Sequence, residues 1–141
     1  KDEVYIVLLY AVYNLKTRKL TYSSAGLNVS PFVVRNSGKV DYLDTKGFPI
    51  CKFMEYYSGE YENRYVDLDI GDKLLFYTDG LIETRNNLGE EYSEGRLMRL
   101  LETNMHTTAQ DLIESITESV LGFLGDNEFR DDITLFAMEV K

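Results

Sequence analysis

The pattern that most restricts this chain is a change of period partway along it. Up to residue 79 the apolar residues come in short runs and alternations rich in Val, Ile, Tyr and Phe, broken by polar or glycine-bearing turns. From residue 93 to 125 they recur every three or four positions instead. A period of two lines one face of a strand, and a period near 3.6 lines one face of a helix. Many strands followed by two helices and a closing strand predict an α+β fold, with an antiparallel sheet or sandwich covered by helices.

"VYIVLLYAVY" (4–13) is predicted as a central strand, "NLKTRK" as a polar turn and "LTYSSA" (20–25) as the second arm of a hairpin. "FVVRNSGKVDYL" (32–43) is a second hairpin around Ser37-Gly38, and residues 44–63 read as a connection. "RYVDLDIGDKLLFYTDG" holds two strands joined at Gly71-Asp72. "YSEGRLMRLLE" predicts a helix capped by Ser93, with Leu97, Leu100 and Leu101 on one face. Residues 107–125 predict a second helix, entered through a Thr108–Asp111 capping box and stopped at Gly125. "DITLFAMEV" is the last strand.

Charge narrows the functions open to such a fold. Twenty-four acids against 15 bases give a net charge of −9, which argues against a nucleic-acid partner and is compatible with divalent cations. No window approaches the roughly 18 to 20 apolar residues of a membrane span, so no membrane contact is expected of this segment. The single cysteine, Cys51, excludes an intrachain disulfide and fits a reducing cytoplasm. The lone histidine, His106, falls between the two helices among polar residues and reads as a surface group.

Two acidic positions stand out, because an unpaired charge at the end of a core strand is costly. "LLFYTD" runs into Asp79, and Asp131-Asp132 runs into "ITLF". Either Asp79-Gly80 closes a hairpin and Asp131 is a loop acid, or the two strands are neighbours and their carboxylates meet at one sheet edge. In the second case oxygen-only ligands suit a hard cation such as Mn²⁺ or Mg²⁺. Glu83, four residues beyond Asp79, is a solvated acid or a group that orients a water or substrate.

Beyond spacing, "GDKLLFYTDGLIETRNNLGEEYSEGRL" and "RDDITLFAMEV" closely resemble two motifs of the metal-dependent protein serine/threonine phosphatases of the PPM type. The likeness is to their bacterial branch, typified by sporulation stage II protein E and the sigma-factor regulatory phosphatases. "LTYSSAGLNVSPFVVRNSGKV" resembles that branch's hairpin and "GFPI" its Gly-x-Pro segment. The four segments follow in the family's order across nearly the whole chain.

The resemblance implies a sandwich of two antiparallel sheets flanked by helices, with two Mn²⁺ or Mg²⁺ ions at one end. It implies that Asp79 and Asp131 ligate metal, with Gly80, Asp132 and Glu83 around them and no catalytic side chain beyond the ligands. The implied activity is hydrolysis of phosphoserine or phosphothreonine on a regulatory protein, an anti-sigma-factor antagonist, by a metal-activated water. A signal-sensing domain upstream is implied with it. The family's Asp-x-Ser-Gly-His-Gly motif is absent from these residues, and Leu27 stands where the family usually has His. The chain therefore reads as the C-terminal two thirds of one phosphatase domain, lacking N-terminal strands and helices and expected to be inactive alone. An uncovered strand edge would favour homo-oligomers. The alternative is a non-catalytic, phosphatase-like module that binds partners.

Overall fold

The computed structural model of the protein describes residues 4–52 and 59–141. They divide into two compact units, one built from the described residues of 4–30 and 44–68 and the other from 31–43 and 69–141.

In the first unit, β1 (Tyr5–Ile6) pairs with β6 (Ile50–Cys51), and β2 (Leu8–Asn14), β3 (Lys19–Ala25) and β7 (Arg64–Asp67) form an antiparallel sheet in the order β2-β3-β7. The β2–β3 hairpin runs in register from Leu8 opposite Ala25 to Asn14 opposite Lys19. Asn14 closes its turn, because its side-chain oxygen accepts from the amides of Lys16 (2.9 Å) and Thr17 (3.0 Å). Leu20, Tyr22 and Ser24 on β3 are buried in alternation.

The apolar run at 4–13 was expected to be one central strand, and here the structure differs. The run breaks at Val7 into β1 and β2, and among the described residues β2 pairs with β3 alone. Leu8, Tyr10 and Val12 are 48%, 66% and 52% exposed. Apolar composition told of a strand suited to cover on both faces, but pairing partners are not written in it. The predicted connection at 44–63 contains the short strand β6, and residues 53–58 of it lie outside the described residues. Gly26, at φ +75°, lies so close to Pro49 that a Cβ there would stand 2.6 Å from the proline nitrogen. Only glycine lets the backbones of the "AGL" and "GFPI" segments touch.

The second unit holds a four-stranded antiparallel sheet ordered β5-β4-β8-β9, from β4 (Phe32–Val34), β5 (Val40–Tyr42), β8 (Lys73–Tyr77) and β9 (Leu135–Glu139). It also holds α1 (Asp79–Ile82), α2 (Ser93–Thr103) and α3 (Ala109–Leu124). Phe32, Val33, Val34, Leu74 and Leu75 from the sheet are almost wholly inaccessible, as are Leu97 and Leu101 of α2 and Leu112 and Ile116 of α3. The predicted α+β class with antiparallel sheets and helices is therefore the observed one. The Thr108–Asp111 capping box forms, and Gly125 ends α3 at φ 63°. The Glu139 carboxylate accepts from the Ala109 amide at 3.2 Å, tying β9 to the first turn of α3, and that hydrogen bond holds its pKa below the usual carboxylate value. Ser93 does not cap α2. It is the first helical residue at φ 70°, the cap position is Tyr92, and no side-chain cap bond is made.

One carboxylate fixes the approach to β8. Asp72, 2% exposed, accepts from the Arg35 guanidinium and from the amides of Asn36 and Asp69, each at 2.9 Å. Burial alone would raise its pKa, but these donors outweigh burial and hold it below the ordinary aspartate value. A depressed folded pKa means that the contribution to stability is present above the unfolded value of about 3.9 and is lost as pH falls through the folded pKa. Asp72→Ala is expected to cost about 2 kcal/mol in urea unfolding at pH 7, because it removes a buried acceptor from two amides and from the half-buried Arg35 guanidinium, which keeps its pairing with Asp41. The deficit relative to wild type should shrink as the pH is lowered below about 3.9. A deficit under about 1 kcal/mol at pH 7 would show that the network is not what holds this turn.

Candidate metal centre

Asp79 follows the end of β8 and Asp131 precedes the start of β9, and the two strands are antiparallel neighbours. Their register runs from Lys73 opposite Glu139 to Tyr77 opposite Leu135. A side-chain clasp extends the ladder beyond its last pair. The Thr78 amide donates to the Thr134 carbonyl at 3.1 Å, and the Thr134 amide returns to Thr78 Oγ1 at 2.9 Å. The same Oγ1 donates to the Asp132 carbonyl at 3.4 Å. Strand polarity then dictates that the chain leaving β8 and the chain entering β9 meet at one sheet end.

Asp79-Gly80 does not close a hairpin. The two residues open α1, with Thr78 in extended conformation before them, and the Thr84 hydroxyl donates to the Gly80 carbonyl at 2.8 Å. Gly80 is the point of closest approach. A Cβ there would lie 2.5 Å from the Asp132 carbonyl oxygen and 3.5 Å from the Asp131 Cβ. Glycine therefore lets the backbone next to Asp79 rest against the Asp131-Asp132 segment. Asp79 is half-buried, and Asp131, Asp132 and Glu83 are exposed. The Asp131 side chain turns back to accept from the Asp132 amide at 2.8 Å.

Gly80, Glu83, Arg85, Glu91, Arg130 and Asp131 line one cleft of about 280 Å³. Asp132 faces elsewhere, toward a larger apolar groove of about 490 Å³ between α3 and the start of β9, of which Asp131 forms part of the shared wall. The sequence-predicted residues are thus gathered at one end of the β8–β9 pair, with Asp132 contributing its backbone carbonyl. Carboxylate oxygens fit Mn²⁺ or Mg²⁺ in kind. They fall short in number, because no group of three or more His, Cys, Asp and Glu able to hold a metal occurs among the described residues. His106 is exposed, as expected. Thr78, Thr134, Arg85 and Arg130 were not singled out from sequence. The two arginines had a signal there: they are cations in an acidic chain, embedded in the same two motifs as Asp79 and Asp131.

The close approach at Gly80 separates it from other helical glycines. Gly80→Ala is expected to destabilise the protein by about 1–3 kcal/mol, because the Cβ meets backbone rather than a flexible side chain. Gly122→Ala in α3, where a Cβ would meet nothing within 4 Å, should stabilise by up to about 1 kcal/mol. Thermal unfolding of both variants reads the difference, and equal shifts would mean that the Gly80 contact does not exist.

The comparisons with known proteins bear on the fold and the family. The chain is 28% identical over 138 residues to phosphoserine phosphatase RsbU of Bacillus subtilis, covering 98% of this chain and 40% of RsbU. Among solved structures it is similar to the SiaA-PP2C domain of Pseudomonas aeruginosa, with a TM-score of 0.75 at 20% identity over 89% of this chain and 48% of that one. It is also similar to the Mn-presoaked phosphatase domain of the cell-fate determinant SpoIIE from Bacillus subtilis, with a TM-score of 0.70 at 17% identity over 95% of this chain and 56% of that one. At these identities the structures speak for a shared PP2C-like fold. The chain spans less than half of RsbU and about half of the two solved chains. The model of the Stage II sporulation protein E (SpoIIE) family matches residues 1–141, and the chain belongs to that family.

Proposed function

We propose that these residues form the C-terminal two thirds of a single PPM-type phosphatase domain. In the complete domain, Asp79 and Asp131 hold Mn²⁺ or Mg²⁺, and the reaction is hydrolysis of phosphoserine or phosphothreonine on a regulatory protein. The observation that carries this reading is the β8–β9 register, which delivers both aspartates to one end of the sheet with Gly80 packed against Asp131-Asp132. RsbU, a phosphoserine phosphatase by name, and the Mn-presoaked SpoIIE domain support it. An anti-sigma-factor antagonist as substrate, an upstream sensing domain and a cytoplasmic setting complete the proposal. No helix among the described residues is long and apolar enough to cross a membrane.

The protein's own residues have simple tasks in this scheme. Asp79, half-buried at the end of a core strand, supplies a carboxylate that a cation compensates. Asp131 supplies a second from the facing segment, and the Thr78–Thr134 clasp ties that segment to the end of β8. Glu83, on the wall of the cleft that Asp131 and Gly80 line, is placed to accept a hydrogen bond from a water. Bound divalent cations would supply a water of lowered pKa and would offset the negative charge of the phosphoryl group. The missing ligands belong to the upstream Asp-x-Ser-Gly-His-Gly motif in this scheme. One observation favours a second reading, a partner-binding module without catalysis: no third ligand joins the two aspartates among the described residues.

The full-length protein decides between them. Mn²⁺-dependent release of phosphate from a phosphoserine peptide is expected, falling by about 100-fold or more in Asp79→Asn and in Asp131→Asn, with circular dichroism unchanged. Wild-type activity retained in both variants would refute the ligand assignment, and a wild-type protein inert at all Mn²⁺ concentrations would leave the binding module. The 141-residue chain alone is expected to be nearly inactive. It should also self-associate through the exposed apolar edge at β2. A monodisperse 16 kDa species in light scattering would contradict the second expectation.

A further inference from the structure

The cleft at the candidate metal centre holds more than carboxylates. Two guanidiniums, Arg85 and Arg130, line it together with Asp131. The loops that carry them are tied to each other, because Asn127 Nδ2 donates to the Arg85 carbonyl at 3.2 Å. Both arginines also line an adjoining polar cleft of about 630 Å³ walled by Asn86, Asn87, Asn127 and Glu128. Their situations differ. Arg85 is paired with Glu91 at 2.9 Å, so its charge is answered within the protein. No ion pair among the described residues includes Arg130, which is exposed next to Asp131.

In a protein with a net charge of −9, an unanswered guanidinium beside a candidate metal ligand is an anion site. Arginine presents a planar fork of donors that matches the oxygens of a phosphoryl group, and such charge-assisted pairs are among the strong hydrogen bonds. Glu83, Glu91 and Asp131 would repel an anion in the same cleft. Glu91 is spent on Arg85, Asp131 is assigned to the cation, and Glu83 is exposed to solvent. Arg130 is then the protein cation left over.

We propose that Arg130 anchors the phosphoryl group of the substrate, donating hydrogen bonds to its non-bridging oxygens while Arg85, held by Glu91, forms the neighbouring wall. This rests on the phosphatase reading of the site, but it concerns binding and can be judged without turnover. No bond is made or broken by Arg130. Its contribution is to orient the phosphoserine or phosphothreonine dianion beside the groups held by Asp79 and Asp131.

The test uses the full-length protein loaded with Mn²⁺ and two probes, inorganic phosphate in calorimetric titration and a phosphoserine peptide in steady-state kinetics. Arg130→Gln should weaken phosphate binding about tenfold, with KM for the peptide raised by a similar factor. Arg130→Lys should recover part of the loss, because it restores charge without the fork. Mn²⁺ affinity should stay within about twofold of wild type, which separates anion anchoring from damage to Asp131. Arg99→Gln, an exposed charge loss on α2, should change neither value. Phosphate affinity in Arg130→Gln equal to wild type would overturn the proposal, as would an equal loss in Arg99→Gln or a wild-type protein that binds no phosphate. Wild-type protein that binds phosphate through Arg130 but releases none from the peptide would sink the proposed activity alone.

Discussion

The β8–β9 ladder is the interaction on which the site depends. Five residue pairs from Lys73–Glu139 to Tyr77–Leu135 set the register, and the Thr78–Thr134 clasp carries it one step further. Because side chains alternate along a strand, a one-residue slip would exchange the faces of the paired strand and shift the segment that carries Asp131 past the start of α1. Leu74 and Leu75, consecutive and therefore on opposite faces, are both inaccessible, so β8 is packed on both sides. The Asp72 network pins the start of β8 and Glu139 ties the end of β9 to α3, so both strands are held at the end away from the acids.

This arrangement explains how a carboxylate comes to rest at the end of a core strand. Asp72 and Asp79 both flank β8, yet their circumstances differ. Asp72 is answered by three protein donors, which makes it a structural group. Asp79 stands at the opposite end, where the neighbouring segment brings Asp131. In the proposed scheme a divalent cation offsets the like charges gathered there.

Much of this was legible in the sequence, for physical reasons that can be stated residue by residue. The switch from strand to helix periodicity, the two early hairpins and the Thr108–Asp111 box are local patterns, and local patterns survive folding. The acidic ends of β8 and β9 could be read as a candidate pair because apolar runs ending in Asp are costly without compensation. What was not legible depends on non-local choices. Nothing in "VYIVLLYAVY" says that it divides at Val7 between two sheets, or that among the described residues β2 has one partner rather than two. Asp79-Gly80 has the composition of a turn, and only the packing of Gly80 on the Asp132 carbonyl shows why a short helix starts there instead. Ser93 has the composition of a cap, but its backbone at φ 70° belongs to the first helical position. The role of Thr78 was hidden because its partner, Thr134, lies 56 positions away.

The central claim is that Asp79 and Asp131 converge on one divalent cation. Anomalous diffraction at the manganese edge from crystals of the full-length protein soaked in Mn²⁺ tests it most directly. The account predicts an anomalous peak at ligand distance from carboxylate oxygens of both residues, lost in Asp131→Asn. Manganese bound elsewhere, or a peak touching neither aspartate, would contradict it.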